Sequence, residues 1–284
     1  MNRFSESRLP YTKIIGAGSG ADCDGEWVAG RSILAYGVRV GIRTNKPEAL
    51  DRFSDYFPPL WKPTSVSAVD RLFSLRVGKK SHVLFEDLEK ADQSTSLKLV
   101  LNTFERRLKM YVAEMARRRV FIHAGAVGWR GRAIVIPGRS YSGKTSLVAE
   151  LVRAGATYYS DEYAVLDLEG RVHPYPQPLA MRKPGSYEQK NRPVEEIGGV
   201  AGSRPLPVGM VIVSKYETGA RWRPSPLSVG QAVLELLANT VPARRKPEVV
   251  IPTLQRAAMG ANILKGARGE AKETARLILQ EVQS

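Results

Sequence analysis

The chain has 284 residues, 43% of them hydrophobic, enough to supply a core for one large domain or two ordinary ones. Its 43 lysines and arginines against 28 aspartates and glutamates give a formal charge of +15, yet the basic residues are dispersed, with only short clusters at Arg117-Arg118-Arg119 and Arg244-Arg245-Lys246. Neither an aromatic-interleaved strand nor a recognition-helix pattern accompanies that charge, so nucleic-acid binding is not expected. No apolar run approaches the roughly 18 residues of a membrane span, and the first residues lead into no signal-peptide segment, which together predict a cytoplasmic protein that avoids the membrane.

With one cysteine, Cys23, no internal disulfide and no thiolate metal cluster are expected. Its acidic, turn-like setting disfavours a reactive thiol. The three histidines, His82, His123 and His173, lack the spacing of metal ligands.

In chain order, strand-like segments at 32–37, 38–43 and 71–77 enclose a helical stretch at 47–57 that Pro58-Pro59 terminates. No charged constellation with catalytic spacing occurs there, so residues 1–91 read as a small α+β module. From 94 to 119 the apolar residues Leu97, Leu101, Phe104, Leu108, Tyr111 and Met115 recur every three or four positions, predicting one long amphipathic helix whose stripe serves core packing. A strand at 120–129, a turn at Arg130-Gly131-Arg132 and a second strand through Ile134-Val135-Ile136 predict a hairpin.

That hairpin runs into Gly138-Arg139-Ser140-Tyr141-Ser142-Gly143-Lys144-Thr145, the pattern G-x-x-x-x-G-K-[ST], followed by helix-forming Ser146-Leu147-Val148-Ala149. Glycines at both ends let the backbone curl so that successive N–H groups face phosphate oxygens, and the following helix adds the positive end of its dipole. Lys144 then reaches the β- and γ-phosphates of a nucleotide, and the Thr145 hydroxyl ligates magnesium. Ser146 completes the binding stretch.

Two strand-like pieces around Asp161 and Glu162 come next, sixteen residues beyond Thr145. A strand beside the loop brings such acids to the phosphates, where one carboxylate can hold magnesium and the other can take a proton from an incoming hydroxyl. Residues 175–204, rich in proline, glycine and charge, read as a long loop or partly mobile segment. Lys190, Arg192, Arg244 and Arg245 could contact an acidic partner, but ordinary solvated charges are the commoner reading. A strand at 209–214 and helices at 228–241 and 269–282 follow, the first opening on a capping box at Ser228 to Gln231. Alternating strands and helices mark residues 92–284 as an α/β domain.

His123-Ala124-Gly125, Gly138 to Thr145 and Ser160-Asp161-Glu162 resemble the catalytic domain of the HPr kinase/phosphorylase family, and more closely the HPr-kinase-related serine kinases of the lasso-peptide type. The Gly41-Ile42-Arg43-Thr44-Asn45 and Pro58-Pro59-Leu60-Trp61-Lys62 stretches also fit that subgroup. The resemblance implies a P-loop kinase domain of HPr-kinase type behind the small N-terminal domain, with ATP and Mg2+ as cofactors. In it Asp161 resembles the general base, Glu162 the acid that organises magnesium with Thr145, His123 the histidine near the phosphates, and Arg182 an arginine that stabilises the transferring phosphoryl group. It further suggests a homo-oligomer, hexameric in that family. The acidic residue and Arg-Gly-x-Gly that surround the family arginine are not reproduced around Arg182, which argues against phosphorylase activity and against HPr itself as substrate.

The sequence therefore predicts a kinase that phosphorylates a serine of a peptide or protein, such as a ribosomal precursor peptide of lasso type. A small-molecule kinase and a nucleotide-switched binding module are the alternatives. A GTPase is disfavoured because Asn45-Lys46-Pro47-Glu48 precedes the loop and carries Glu in place of Asp, and a transporter ATPase because nothing resembles its signature after the loop.

Overall fold

The computed structural model describes residues 27–66, 68–139, 142–182 and 189–281, and its compact units divide at Arg117 and Arg118. Cys23, Ser140 and Tyr141 lie outside the described residues.

The first unit builds a sheet from β1 (Ala29–Ala35), β2 (Val38–Thr44), β3 (Lys62–Thr64), β4 (Arg71–Val77), β5 (His82–Glu86) and β6 (Glu89–Ser94), in the order β3-β1-β2-β4-β5-β6. All neighbours are antiparallel except β2 and β4, whose parallel pairing needs the crossover that α1 (Pro47–Arg52) and a following 3-10 turn (Phe53–Tyr56) supply. The predicted helix at 47–57 is thus shorter and tightens at its end. Helix α2 (Leu97–Met115) covers the sheet with the predicted stripe: Leu101, Phe104 and Leu108 are buried, and Leu97, Tyr111 and Met115 pack beside them. Phe104 meets Phe53 and Phe73 edge-on, with ring centroids 4.7 and 5.1 Å apart. Because α2 completes this core, the unit boundary falls after it rather than at residue 91, a correction to the expected division.

The second unit comprises β7 (Val120–Trp129), β8 (Arg132–Pro137), α3 (Lys144–Arg153), β9 (Thr157–Ser160), β10 (Tyr163–Leu166), β11 (Arg171–His173), β12 (Leu179–Arg182), β13 (Gln189–Arg192), β14 (Leu206–Tyr216), β15 (Ser225–Pro226), α4 (Val229–Leu237), α5 (Pro247–Ala258), β16 (Asn262–Arg268) and α6 (Ala271–Glu281). Its main sheet runs β11-β10-β7-β8-β14-β16-β15, with β9 also on β7, and β11 pairs with β14 as well as β10, closing five strands into a ring. β8, β14 and β16 are mutually parallel.

Alternation along these parallel strands divides the core. Ile134, Ile136, Met210, Ile212 and Leu264 face α3 and α6, while Val135, Val211 and Ile263 face α4 and α5. The β7–β8 hairpin turns through Arg130 and Gly131, both at positive φ (51° and 78°), the backbone that a two-residue turn between twisted strands requires. At α4 the capping box is complete: the Ser228 hydroxyl accepts from the Gln231 N–H at 3.3 Å, and the Gln231 side chain accepts from the Ser228 N–H at 2.9 Å. The segment read as a long loop instead contains the antiparallel β12–β13 ribbon and a 3-10 turn at Val194–Ile197. Its strands are only four residues each, one mostly apolar (Leu179–Arg182) and one polar (Gln189–Arg192), too short for an alternating pattern to advertise them.

Candidate active site

Strand β8 ends at Pro137, and α3 begins at Lys144, so the glycine-bounded segment is a strand-to-helix loop, the setting its motif requires. Gly143 caps α3 in the left-handed region, φ 82°. A Cβ there would lie 2.4 Å from Arg268 Nη2, and one on Gly138 would lie 2.8 Å from Ser142 Oγ. Gly143 is therefore held to glycine by its backbone conformation and by a nearly buried guanidinium, whereas a Cβ on Gly138 would displace the Ser142 hydroxyl.

Lys144 Nζ donates to the Gly138 and Arg139 carbonyls at 2.6 and 2.7 Å, spanning the loop it leaves. Burial lowers its pKa, against the opposing pull of Asp161 and Glu162. The hydroxyl of Thr145 donates to Asp161 Oδ2 at 3.0 Å, joining the first turn of α3 to the acid pair. Ser142 Oγ is buried and has no partner among the described residues, the kind of orphaned donor that a phosphate oxygen satisfies. Arg139 and Ser146 are exposed at the loop's rim.

The acid turn between β9 and β10 is tied by Ser160, whose hydroxyl accepts from the N–H groups of Glu162 and Tyr163 at 3.1 and 2.9 Å. Asp161 is only 6% exposed, and three donors hold it: Thr145, the Ala180 N–H at 3.2 Å, and the Tyr158 hydroxyl at 2.9 Å on Oδ1. Tyr158 also lies 2.8 Å from the Gln177 carbonyl. Burial first, and then the Asp161 charge, push the Tyr158 pKa far up, so it stays a donor. Glu162 is less buried than Asp161.

Antiparallel pairing sets His123 opposite Tyr163, with ring centroids 4.7 Å apart, and the His123 carbonyl accepts from the Gly138 N–H at 3.1 Å. The first strand of the hairpin thus anchors the loop's first residue. Burial, followed by the Lys144 charge, lowers the His123 pKa and favours the neutral imidazole. The backbone of Arg182 closes β12 opposite Gln189, while its side chain lies outside the described residues.

Sequence reasoning missed three contributors. Tyr158 and Ala180 reach Asp161 from β9 and β12, and Arg268 donates to the Gly143 carbonyl at 2.9 Å from 125 residues away, a distance no local pattern spans. Among the described residues no group of three or more His, Cys, Asp or Glu side chains could hold a metal. A hydroxyl and one carboxylate instead suit an ion such as magnesium, which keeps several waters and takes its remaining ligands from phosphates. Loop, orphaned hydroxyl and Thr145–Asp161 pair thus fit a magnesium nucleotide.

Among the described residues no helix is long and apolar enough to cross a membrane. No protein-family model and no curated protein sequence matches the chain. What is established is a chain of mixed α/β structure with several sheets and helices.

Proposed function

We propose that this protein is an ATP-dependent kinase that transfers phosphate to a serine hydroxyl of a peptide or protein. The observation that carries the reading is the Thr145–Asp161 hydrogen bond, 3.0 Å, which joins a glycine-cradled loop to a buried acid. The resemblance to HPr-kinase-related serine kinases supports the same assignment.

Magnesium-ATP bound at the loop supplies the γ-phosphoryl group. The loop N–H groups, Lys144 and Ser142 hold phosphate oxygens, and Thr145 with Glu162 holds the ion. Lys144, joined by Arg182, offsets the negative charge of the group being transferred. Asp161 takes the proton of the acceptor hydroxyl: a carboxylate has about four lone-pair directions, and its three donors among the described residues leave one on Oδ1. Neutral His123 anchors the loop through its carbonyl and adds no charge of its own.

The Thr145 contact also supports a second division of labour, in which Asp161 serves the ion and Glu162, less buried, takes the proton. Incubation with γ-labelled ATP, magnesium and a pool of serine peptides tests the proposal. Asp161→Asn should retain nucleotide binding and lose label. If Asp161→Asn instead raises the magnesium needed for binding while Glu162→Gln abolishes label, the second division holds. Tight ATP binding with no label on any hydroxyl would favour a nucleotide-switched binding protein.

A further inference from the structure

We infer that Tyr216, Arg268 and Glu270 form a platform for the purine base of the nucleotide, an inference that rests on the nucleotide reading of the loop. Strands β8, β14 and β16 are parallel, so their carboxyl ends open on one edge, the edge at which parallel α/β sheets receive ligands. The loop leaves the end of β8, while Tyr216 and Arg268 are the last residues of β14 and β16 and pair directly. Both lie on the face of the sheet that α3 and α6 cover, as do Met210, Ile212 and Leu264 two or more alternations before them.

The three side chains are held together. The Arg268 guanidinium lies over the Tyr216 ring, 5.5 Å from its centroid, and the Tyr216 hydroxyl donates to Glu270 Oε1 at 3.0 Å. Arg268 is only 2% exposed; it donates to the carbonyls of Gly143 and Gly269 at 2.9 and 3.1 Å, and its Nε has no partner among the described residues. A buried guanidinium with an unsatisfied N–H is costly to keep. Its position makes it the link between the N-cap of α3 and an aromatic ring.

Tyr216 is 44% exposed, whereas Tyr158, Tyr159, Tyr163 and Tyr175, the other tyrosines of this unit among the described residues, are all buried. A half-exposed ring already fixed at its hydroxyl and beneath its plane loses little freedom when a flat heterocycle stacks on it. The second oxygen of the exposed Glu270 carboxylate can accept from an exocyclic amino group. Phosphates at α3 and a base on Tyr216 are one nucleotide, bridged by the Arg268–Gly143 contact.

The test compares ATP with inorganic triphosphate, each with magnesium, by calorimetry on the full chain. The unmodified protein should bind ATP more tightly than triphosphate. Tyr216→Leu should weaken ATP at least about tenfold, the lower part of the range for losing one base–aromatic stack, and leave triphosphate unchanged. Tyr216→Phe, which keeps the ring, should restore most of the ATP affinity. Equal affinity of the unmodified protein for ATP and triphosphate, or equal weakening of both by Tyr216→Leu, would overturn the platform while leaving the loop reading intact. Binding of neither would overturn both.

Discussion

Gly143→Ala should be the most damaging single methyl group in the loop, and the structure says how the cost divides. Alanine at φ 82° costs about 1–2 kcal/mol in backbone strain. The added Cβ, 2.4 Å from Arg268 Nη2, also displaces a nearly buried guanidinium from the Gly143 carbonyl, and a hydrogen bond to a charged group is worth about 1.5–3 kcal/mol. The sum, about 2.5–5 kcal/mol, corresponds to a drop of roughly 5–20 °C in the melting temperature of a unit of this size. Repeating the substitution in an Arg268→Met background should remove the second part and leave about 1–2 kcal/mol. Thermal unfolding followed by circular dichroism measures all four proteins of the cycle. An equal drop in both backgrounds would refute the claim that Arg268 is what Gly143 must make room for.

Lys144→Met keeps the stem and removes the charge, and should lower affinity for magnesium-ATP by about tenfold or more, measured by calorimetry. Phe104→Ala empties the centre of the first unit's aromatic cluster and should cost about 3–5 kcal/mol in urea unfolding. Asp167 gives an acid-dependent effect: burial raises its pKa, but the hydrogen bonds from His173 and from the Arg171 N–H, with the charges of both, prevail and hold it below the usual carboxylate range. A depressed folded-state pKa contributes stability above the unfolded value, near 3.9, that is lost as the pH falls through the folded value. Asp167→Asn should therefore flatten the stability–pH curve below about pH 4, and an unchanged acid limb would count against the assignment.

What could be read in advance follows from where each signal lies. The α2 stripe, the Arg130-Gly131 turn, the Ser228 cap and the loop are written in contiguous residues, and their geometry depends on neighbours a few positions away. Asp161 was visible from its spacing, but not its three donors, since Ala180 contributes a backbone N–H that has no sequence signature. β12 and β13 were missed because strands of four residues are too short to show alternation, and α5 because Pro252 inside it and Pro247 at its start read as interruptions. β16 brings Arg268 to the loop only through parallel pairing with β14, a tertiary fact.

The ring of strands in the second unit bears on how this protein avoids pairing strands with its own copies. Because β11 bonds to both β10 and β14, those three strands expose no continuous row of free N–H and carbonyl groups, and the far margin is β15, two residues long and ending in Pro226. The open sheet of the first unit has blunt margins too. On one side stands β3, only three residues long with Pro63 at its centre, and on the other β6, whose Glu89, Lys90 and Asp92 are charged. Short strands, proline and charge at a margin oppose strand-by-strand stacking between molecules, the route to aggregation that exposed sheet margins otherwise open. Replacing Pro63 with valine would restore a backbone N–H at the centre of β3 and remove one of those guards without touching the loop, the acids or the core.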